Sequence, residues 1–196
     1  IFKEIDQAKE KLNLDPNKKC IGYIGRYEKR KGWEVFLKAI SLLENIDQYQ
    51  IVMVGVGEEE DQANELIKEY KLENVIKKYP MQTQKELALF YSAIDIFCFP
   101  TYRKSDSLGL VGLEAMACGC VVIASNMAGP TSYIKDKENG FFFIPKDGND
   151  LSEKIEDILS MDQYQIEDIK KNALKEAKKY DVENISQSLV DIFNEI

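Results

Sequence analysis

Six short runs set the frame of this sequence. They are Lys19 to Gly25 (KCIGYIG), Tyr49 to Gly55 (YQIVMVG), Val75 to Pro80, Ile96 to Pro100 (IFCFP), Val121 to Ser125 (VVIAS) and Gly140 to Pro145 (GFFFIP). Each is predicted as a buried strand. Amphipathic patterns stand between them: Trp33 to Leu43, Glu58 to Tyr70, and a helix ending near Ala93 that opens on the capping-box order Thr83-Gln84-Lys85-Glu86. Such alternation describes βαβ units around a parallel sheet covered on both faces. The expected fold class is α/β, a Rossmann-like parallel sheet of about six strands flanked by helices. Ligands in that architecture bind beyond the carboxyl ends of the strands, where the strand order reverses. The loops after strands one to four therefore form one candidate site.

The ends of the chain read differently. Ile1 to Leu14 has helical spacing (Ile5, Ala8, Leu12) up to Asp15-Pro16. Beyond Asp150 the strands stop, and helical patterns follow at roughly Leu151 to Met161, Gln163 to Tyr180 and Val182 to Ile196. The expected division is a lead-in helix or linker over 1–18, a Rossmann-like domain over 19–180 and a C-terminal helix over 181–196. The chain opens on Ile1 within a polar helical pattern, so a fragment of a longer protein is expected.

Composition removes several function classes. A formal net charge of -8 argues against a nucleic-acid partner that needs a broad basic face, and less strongly against anionic lipid. No apolar run approaches the roughly 20 residues of a membrane-spanning helix. The expected location is cytoplasmic, with peripheral attachment at the inner membrane face left open for a full-length protein. The chain has no histidine, which removes the commonest general base and zinc ligand. Cys20, Cys98, Cys118 and Cys120 lack metal-ligand spacing and read as buried reduced thiols. Asp-x-Asp occurs nowhere, so a metal bridging phosphates lacks its usual ligands, and no metal is expected.

The stretch Ser105 to Gly119 (SDSLGLVGLEAMACG) reads as a polar loop running into a helix that closes on glycine. Asp106 is expected just before the helix and Glu114 two turns inside it. The first turn of a helix carries unpaired N–H groups and the positive end of the dipole, a seat for phosphate. Glu114 is suited to accept hydrogen bonds from the hydroxyls of a ribose or hexose. Its neighbours Leu110, Val111, Leu113, Ala115, Met116 and Ala117 are apolar, so a buried Glu114 needs a ligand or a nearby donor. Together these features predict a seat for a nucleotide sugar. Earlier in the chain, Gly25-Arg26 and Lys31-Gly32 offer a guanidinium fork, a compact ammonium and close backbone approach. Gly55-x-Gly57 is a weaker signal and is not a G-x-G-x-x-G fingerprint, because Glu60 holds the third place; no G-x-x-x-x-G-K-[ST] run occurs either.

GRYEKRKG followed by DSLGLVGLEAMACGCVVIAS resembles the carboxyl-terminal, donor-binding half of the retaining glycosyltransferases of family four, which have the GT-B architecture. The likeness runs from about Lys19 to Tyr180 and includes F-x-P, two acids eight positions apart, AMACG and Asn139-Gly140. It implies that Arg26 and Lys31 bind the donor diphosphate, beside Gly25, and stabilise charge on the leaving nucleotide. It implies Asp106 facing the transferred sugar, Glu114 on the ribose, and Ser107, Leu108, Gly109, Leu110 and Val111 meeting phosphate and sugar. The loop from Tyr79 to Gln82, with Met81, would border the base. The donor would be a UDP-, GDP- or ADP-sugar, and the acceptor would rest on an amino-terminal half not contained in this chain. Alone, the chain is then expected to bind donor weakly and transfer nothing.

The sequence departs from the family pattern at Asp106, usually Glu, and at Leu108, usually Phe. The usual G-G-x-P-E appears as Ala128-Gly129-Pro130-Thr131-Ser132, without its acid. Two other readings stay open. One is another GT-B activity, such as a phosphorylase or a sugar-nucleotide epimerase, although no pyridoxal-phosphate lysine motif is evident. The other is a non-catalytic α/β module that senses a nucleotide or docks a partner.

Overall fold

The computed structural model describes residues 4–103 and 108–181. Six strands form one sheet: β1 (Lys19–Ile24), β2 (Tyr49–Val54), β3 (Ile76–Tyr79), β4 (Ile96–Phe99), β5 (Val121–Ser125) and β6 (Phe141–Phe143). Their order is β3-β2-β1-β4-β5-β6, and all five pairings are parallel. This is the doubly wound arrangement expected from the sequence.

The pleat explains why the strands are apolar almost throughout. Ile21 and Tyr23, Ile51 and Met53, Ile96 and Cys98, and Val121 and Ile123 join one apolar layer. Their alternate neighbours Cys20 and Ile24, Val52 and Val54, Phe97 and Phe99, and Val122 and Ala124 join the other. Successive side chains point to opposite faces, so a sheet covered on both sides needs apolar residues at every position. Helices α2 (Trp33–Ile40), α3 (Glu60–Glu69) and α6 (Gly148–Leu159) cover the first face. Helices α1 (Ala8–Lys11), α4 (Gln84–Ala93) and α5 (Leu110–Ala117) cover the second. The helix α7 (Gln163–Ala177) lends Ile169 to the first layer and Ala173 and Ala177 to the second.

Caps set several boundaries. At α4 the Thr83 hydroxyl accepts from Glu86 N–H while the Glu86 carboxylate accepts from Thr83 N–H, the expected reciprocal pair. At α6 the Asp147 carboxylate accepts from Asn149 and Asp150 N–H, which starts that helix at Gly148, three residues before the expected Leu151. The extent of the lead-in helix is a correction. Among the described residues of that segment only Ala8–Lys11 is α-helical, because Gln7 and Asn13 on either side adopt left-handed backbone at φ 55° and 54°. This single turn is tied to the sheet by Lys9 Nζ, which meets the Asp95 carboxylate at 2.6 Å. The expected helix from Val182 lies outside the described residues. All four cysteines are free and buried.

Candidate functional site

The strand order reverses between β1 and β4. From β1 the chain winds outward through β2 to β3; from β4 it winds the other way to β5 and β6. The loops that leave the carboxyl ends of β1 and β4 lead to helices on opposite faces, α2 and α5, the arrangement in which such sheets bind ligands.

Main-chain bonds carry the strand ladder past the strand ends and so fix the loops. Gly25 N–H donates to Val54, Tyr27 N–H to Val56 and Gly55 N–H to Tyr79, at 3.0–3.1 Å. Gly55 lies so close to the Gly25 carbonyl that a Cβ there would stand 1.9 Å from its oxygen. The glycine pair after β2 therefore serves loop-to-loop contact. The loops from β1 and β4 are laced as well. The Arg30 carbonyl accepts from the Thr101 hydroxyl at 3.1 Å and from Tyr102 N–H at 3.0 Å. The Tyr102 phenol donates to Glu34 Oε1 at 2.6 Å, and Lys146 Nζ stands 4.8 Å from the Tyr102 ring centre.

The expected site residues are distributed as follows. Gly25, Arg26 and Lys31 occupy the loop after β1. Arg26 is exposed, and its guanidinium meets Glu28 Oε1 at 3.1 Å. An ion pair this open to water contributes about 0–1 kcal/mol, so an arriving anion competes with it readily. Lys31 is half-buried and closes a 3-10 turn, Lys29–Lys31, directly before Gly32. Beyond β4, Leu108, Gly109, Leu110 and Val111 form the entry to α5, with Leu110 exposed and the other three half-buried. Met81 follows β3, two strands away from β1, and is exposed. Asp106 and Ser107 lie outside the described residues.

The α5 entry differs from expectation in one detail. The capping position is Gly109, and Glu114 is the fifth residue of α5, little more than one turn inside it rather than two. Glu114 is half-buried, and its Oε2 accepts from the Tyr91 phenol at 3.1 Å. That phenol is the nearby donor a buried carboxylate requires. Burial pushes the Glu114 carboxyl above its ordinary value, and the bond from Tyr91 pulls it part of the way back.

Other groups brace the same entry. The Tyr133 phenol donates to the Gly109 carbonyl at 3.0 Å. Gly129 lies against the Leu108 main chain, where a Cβ would stand 2.3 Å from the Leu108 carbonyl. Ser132, in the place of the missing acid, donates its hydroxyl to the Gly129 carbonyl at 2.7 Å, so it stabilises its own turn.

A hollow of about 350 Å³ opens between the loops after β1 and β2 and Arg103 beyond β4, lined by Tyr27, Glu28, Lys29, Arg30, Glu58, Glu59 and Arg103; among the described residues, none of those expected at the site lines it. Its β1 wall carries two cations and the Glu28 carboxylate, its β4 side adds Arg103, and its β2 wall carries two carboxylates. Glu59 is fixed there by the Trp33 indole N–H at 2.9 Å. Larger hollows lie elsewhere, about 640 Å³ beside Leu42 and Glu156 and about 510 Å³ where Lys19, Asp95 and Val121 begin or precede their strands. Neither adjoins the carboxyl ends of the strands. Among the described residues no group of three or more Asp, Glu or Cys side chains stands together as a metal site would require. No helix among them is long and apolar enough to cross a membrane.

Sequence reasoning missed Tyr91, Tyr102, Glu34, Tyr133 and the Trp33–Glu59 pair. Each partner stands 23 or more positions from the group it holds, and no local spacing joins them.

The family model for glycosyl transferases group 1 matches residues 4–179. A D-inositol 3-phosphate glycosyltransferase from Corynebacterium aurimucosum is 27% identical over 168 residues, which is 82% of this chain and 39% of that protein. The chain thus spans less than half the length of that curated relative. Sucrose-phosphate synthase from Thermosynechococcus elongatus superimposes with a TM-score of 0.89 at 29% identity, over 99% of this chain and 49% of that one. The C-terminal domain of a glycosyl transferase group 1 family protein from Francisella tularensis gives a TM-score of 0.79 at 27% identity, over 93% of this chain and 97% of that one.

Proposed function

We propose, from the premise that this chain belongs to the glycosyl transferases group 1 family, that it is the nucleotide-sugar-binding half of a retaining, family-four GT-B enzyme that transfers a hexose. One observation carries the reading. The reversal of strand order sets the Gly25–Lys31 loop and the start of α5 at the carboxyl ends of neighbouring strands. Arg26 and Lys31 then meet the diphosphate, the first as a fork and the second as a point charge. The opening turn of α5 adds N–H groups and dipole, and Glu114 accepts from the ribose hydroxyls. Asp106 takes the transferred sugar, and Met81 borders the base.

In transfer, negative charge grows on the leaving nucleoside diphosphate. Cations fixed before the reaction stabilise that charge without reorganising, usually the largest single contribution. Arg26 and Lys31 supply it with no metal needed. The acceptor binds on an amino-terminal half outside this chain, and closure of the two halves excludes water. This chain alone therefore binds donor weakly and transfers nothing.

Thermal unfolding with UDP, GDP and ADP, free and sugar-linked, tests the reading through mass action. At least one should raise the midpoint, and Arg26→Ala and Glu114→Ala should each abolish the rise. A rise that survives both substitutions refutes the site.

A further inference from the structure

We propose that Tyr91 is a positioning residue for Glu114: its phenol holds Oε2 so that the carboxylate meets the two ribose hydroxyls of a nucleoside diphosphate in one fixed orientation. The inference rests on the ribose role given to Glu114 above and adds the group that aims it.

Three observations carry it. The phenol donates to Glu114 Oε2 at 3.1 Å, so the ligand's hydroxyls are assigned to Oε1. Tyr91 itself is fully buried and held independently of Glu114. Its ring meets Phe97 edge-on at 5.3 Å between centres, and its carbonyl accepts from the Cys120 thiol at 3.0 Å. A glutamate side chain loses several rotamers when it is ordered. A rigid donor behind it does that ordering before the ligand arrives, which is how supporting shells raise affinity.

The second consequence is electrostatic. Burial favours the neutral Glu114 carboxyl, in which one oxygen carries a proton and the group is a weaker acceptor. The Tyr91 donor favours the ionised form, the better acceptor for a pair of hydroxyls. Tyr91 thus aims the group that reads the sugar of the nucleotide and opposes the effect of burial on its charge. The competing account is structural: the phenol merely satisfies a buried carboxylate.

The test compares UDP with 2′,3′-dideoxy-UDP by titration calorimetry on the 196-residue chain, as wild type, Tyr91→Phe, Glu114→Gln and the double variant. GDP and ADP pairs are run in the same way. Tyr91→Phe removes one hydroxyl and keeps the ring against Phe97, and a urea curve checks that the variant is folded. The wild type should prefer the ribose form by roughly a hundredfold, the order expected for hydrogen bonds to a charged acceptor. Tyr91→Phe should cut that preference about fivefold with the dideoxy affinity unchanged. The double variant should match Glu114→Gln.

If Tyr91→Phe lowers stability but keeps the full preference, the positioning role is overturned and the ribose role of Glu114 stands. If Glu114→Gln also keeps it, or no diphosphate binds, the ribose role falls and the positioning role with it.

Discussion

Gly32 and Gly119 share left-handed backbone, at φ 76° and 85°, and replacing each by alanine separates two physical costs. A side chain in that conformation costs about 1 kcal/mol at either position. The surroundings differ. At Gly119 a new Cβ would stand 3.5 Å from the Glu4 carboxylate, an ordinary contact. At Gly32 it would stand 2.1 Å from the Pro100 carbonyl oxygen, which belongs to the main chain leaving β4. The two loops must then separate, and the bonds from Thr101 and Tyr102 to the Arg30 carbonyl are lost, each contributing about 1 kcal/mol. Gly32→Ala should therefore cost about 3 kcal/mol and Gly119→Ala about 1 kcal/mol. At this chain length that is a fall in Tm of roughly 6–12 °C against roughly 2–4 °C. Urea unfolding at fixed pH supplies the free energies, with the slope checked for constancy. Gly32→Asn is a further arm, since asparagine tolerates the backbone but keeps the Cβ. Equal losses at the two glycines, or a parental midpoint for Gly32→Asn, would refute the steric argument.

Removing the charge of Glu114 should reveal its burial cost. Its folded carboxyl lies above the ordinary 4.5, so its contribution to stability is full below the unfolded value and is lost as pH rises through the raised one. Glu114→Gln should consequently gain stability over the parent as pH climbs from 4 to 8, measured as urea midpoints at matched pH; a constant or falling difference would contradict the burial account. Tyr102→Phe deletes the 2.6 Å bond to Glu34, whose other oxygen is buried without a partner among the described residues. About 1–3 kcal/mol should be lost in the same assay, and a silent substitution would mean the lacing of the β1 and β4 loops does not depend on that phenol.

The strands were readable because a doubly covered sheet demands unbroken apolar character, and YQIVMV or VVIAS satisfies little else. The start of α4 was readable for a different reason. Thr83 and Glu86 are three positions apart, so the cap is written locally. The first helix was overextended because Ile5, Ala8 and Leu12 fit a helical period while Gln7 and Asn13 turn the backbone left-handed, which spacing does not register. At the candidate site the polar candidates on the β1 loop and α5 stood out by type and by position after apolar runs. Their supports did not. Tyr91 and Tyr102 are aromatic residues in apolar surroundings, and only the fold brings their hydroxyls to Glu114 and Glu34.

The acceptor that joins the β1 and β4 loops is the main-chain oxygen of residue 30, not a side chain. Every amino acid at that position carries the same oxygen. Substitutions there can change the charge presented to a ligand while the bonds joining the two segments persist. The neighbouring charge at Lys29 is likewise free to drift in sequence without removing those bonds. A scaffold fastened in this way lets preference for one anion over another evolve separately from the framework that holds it.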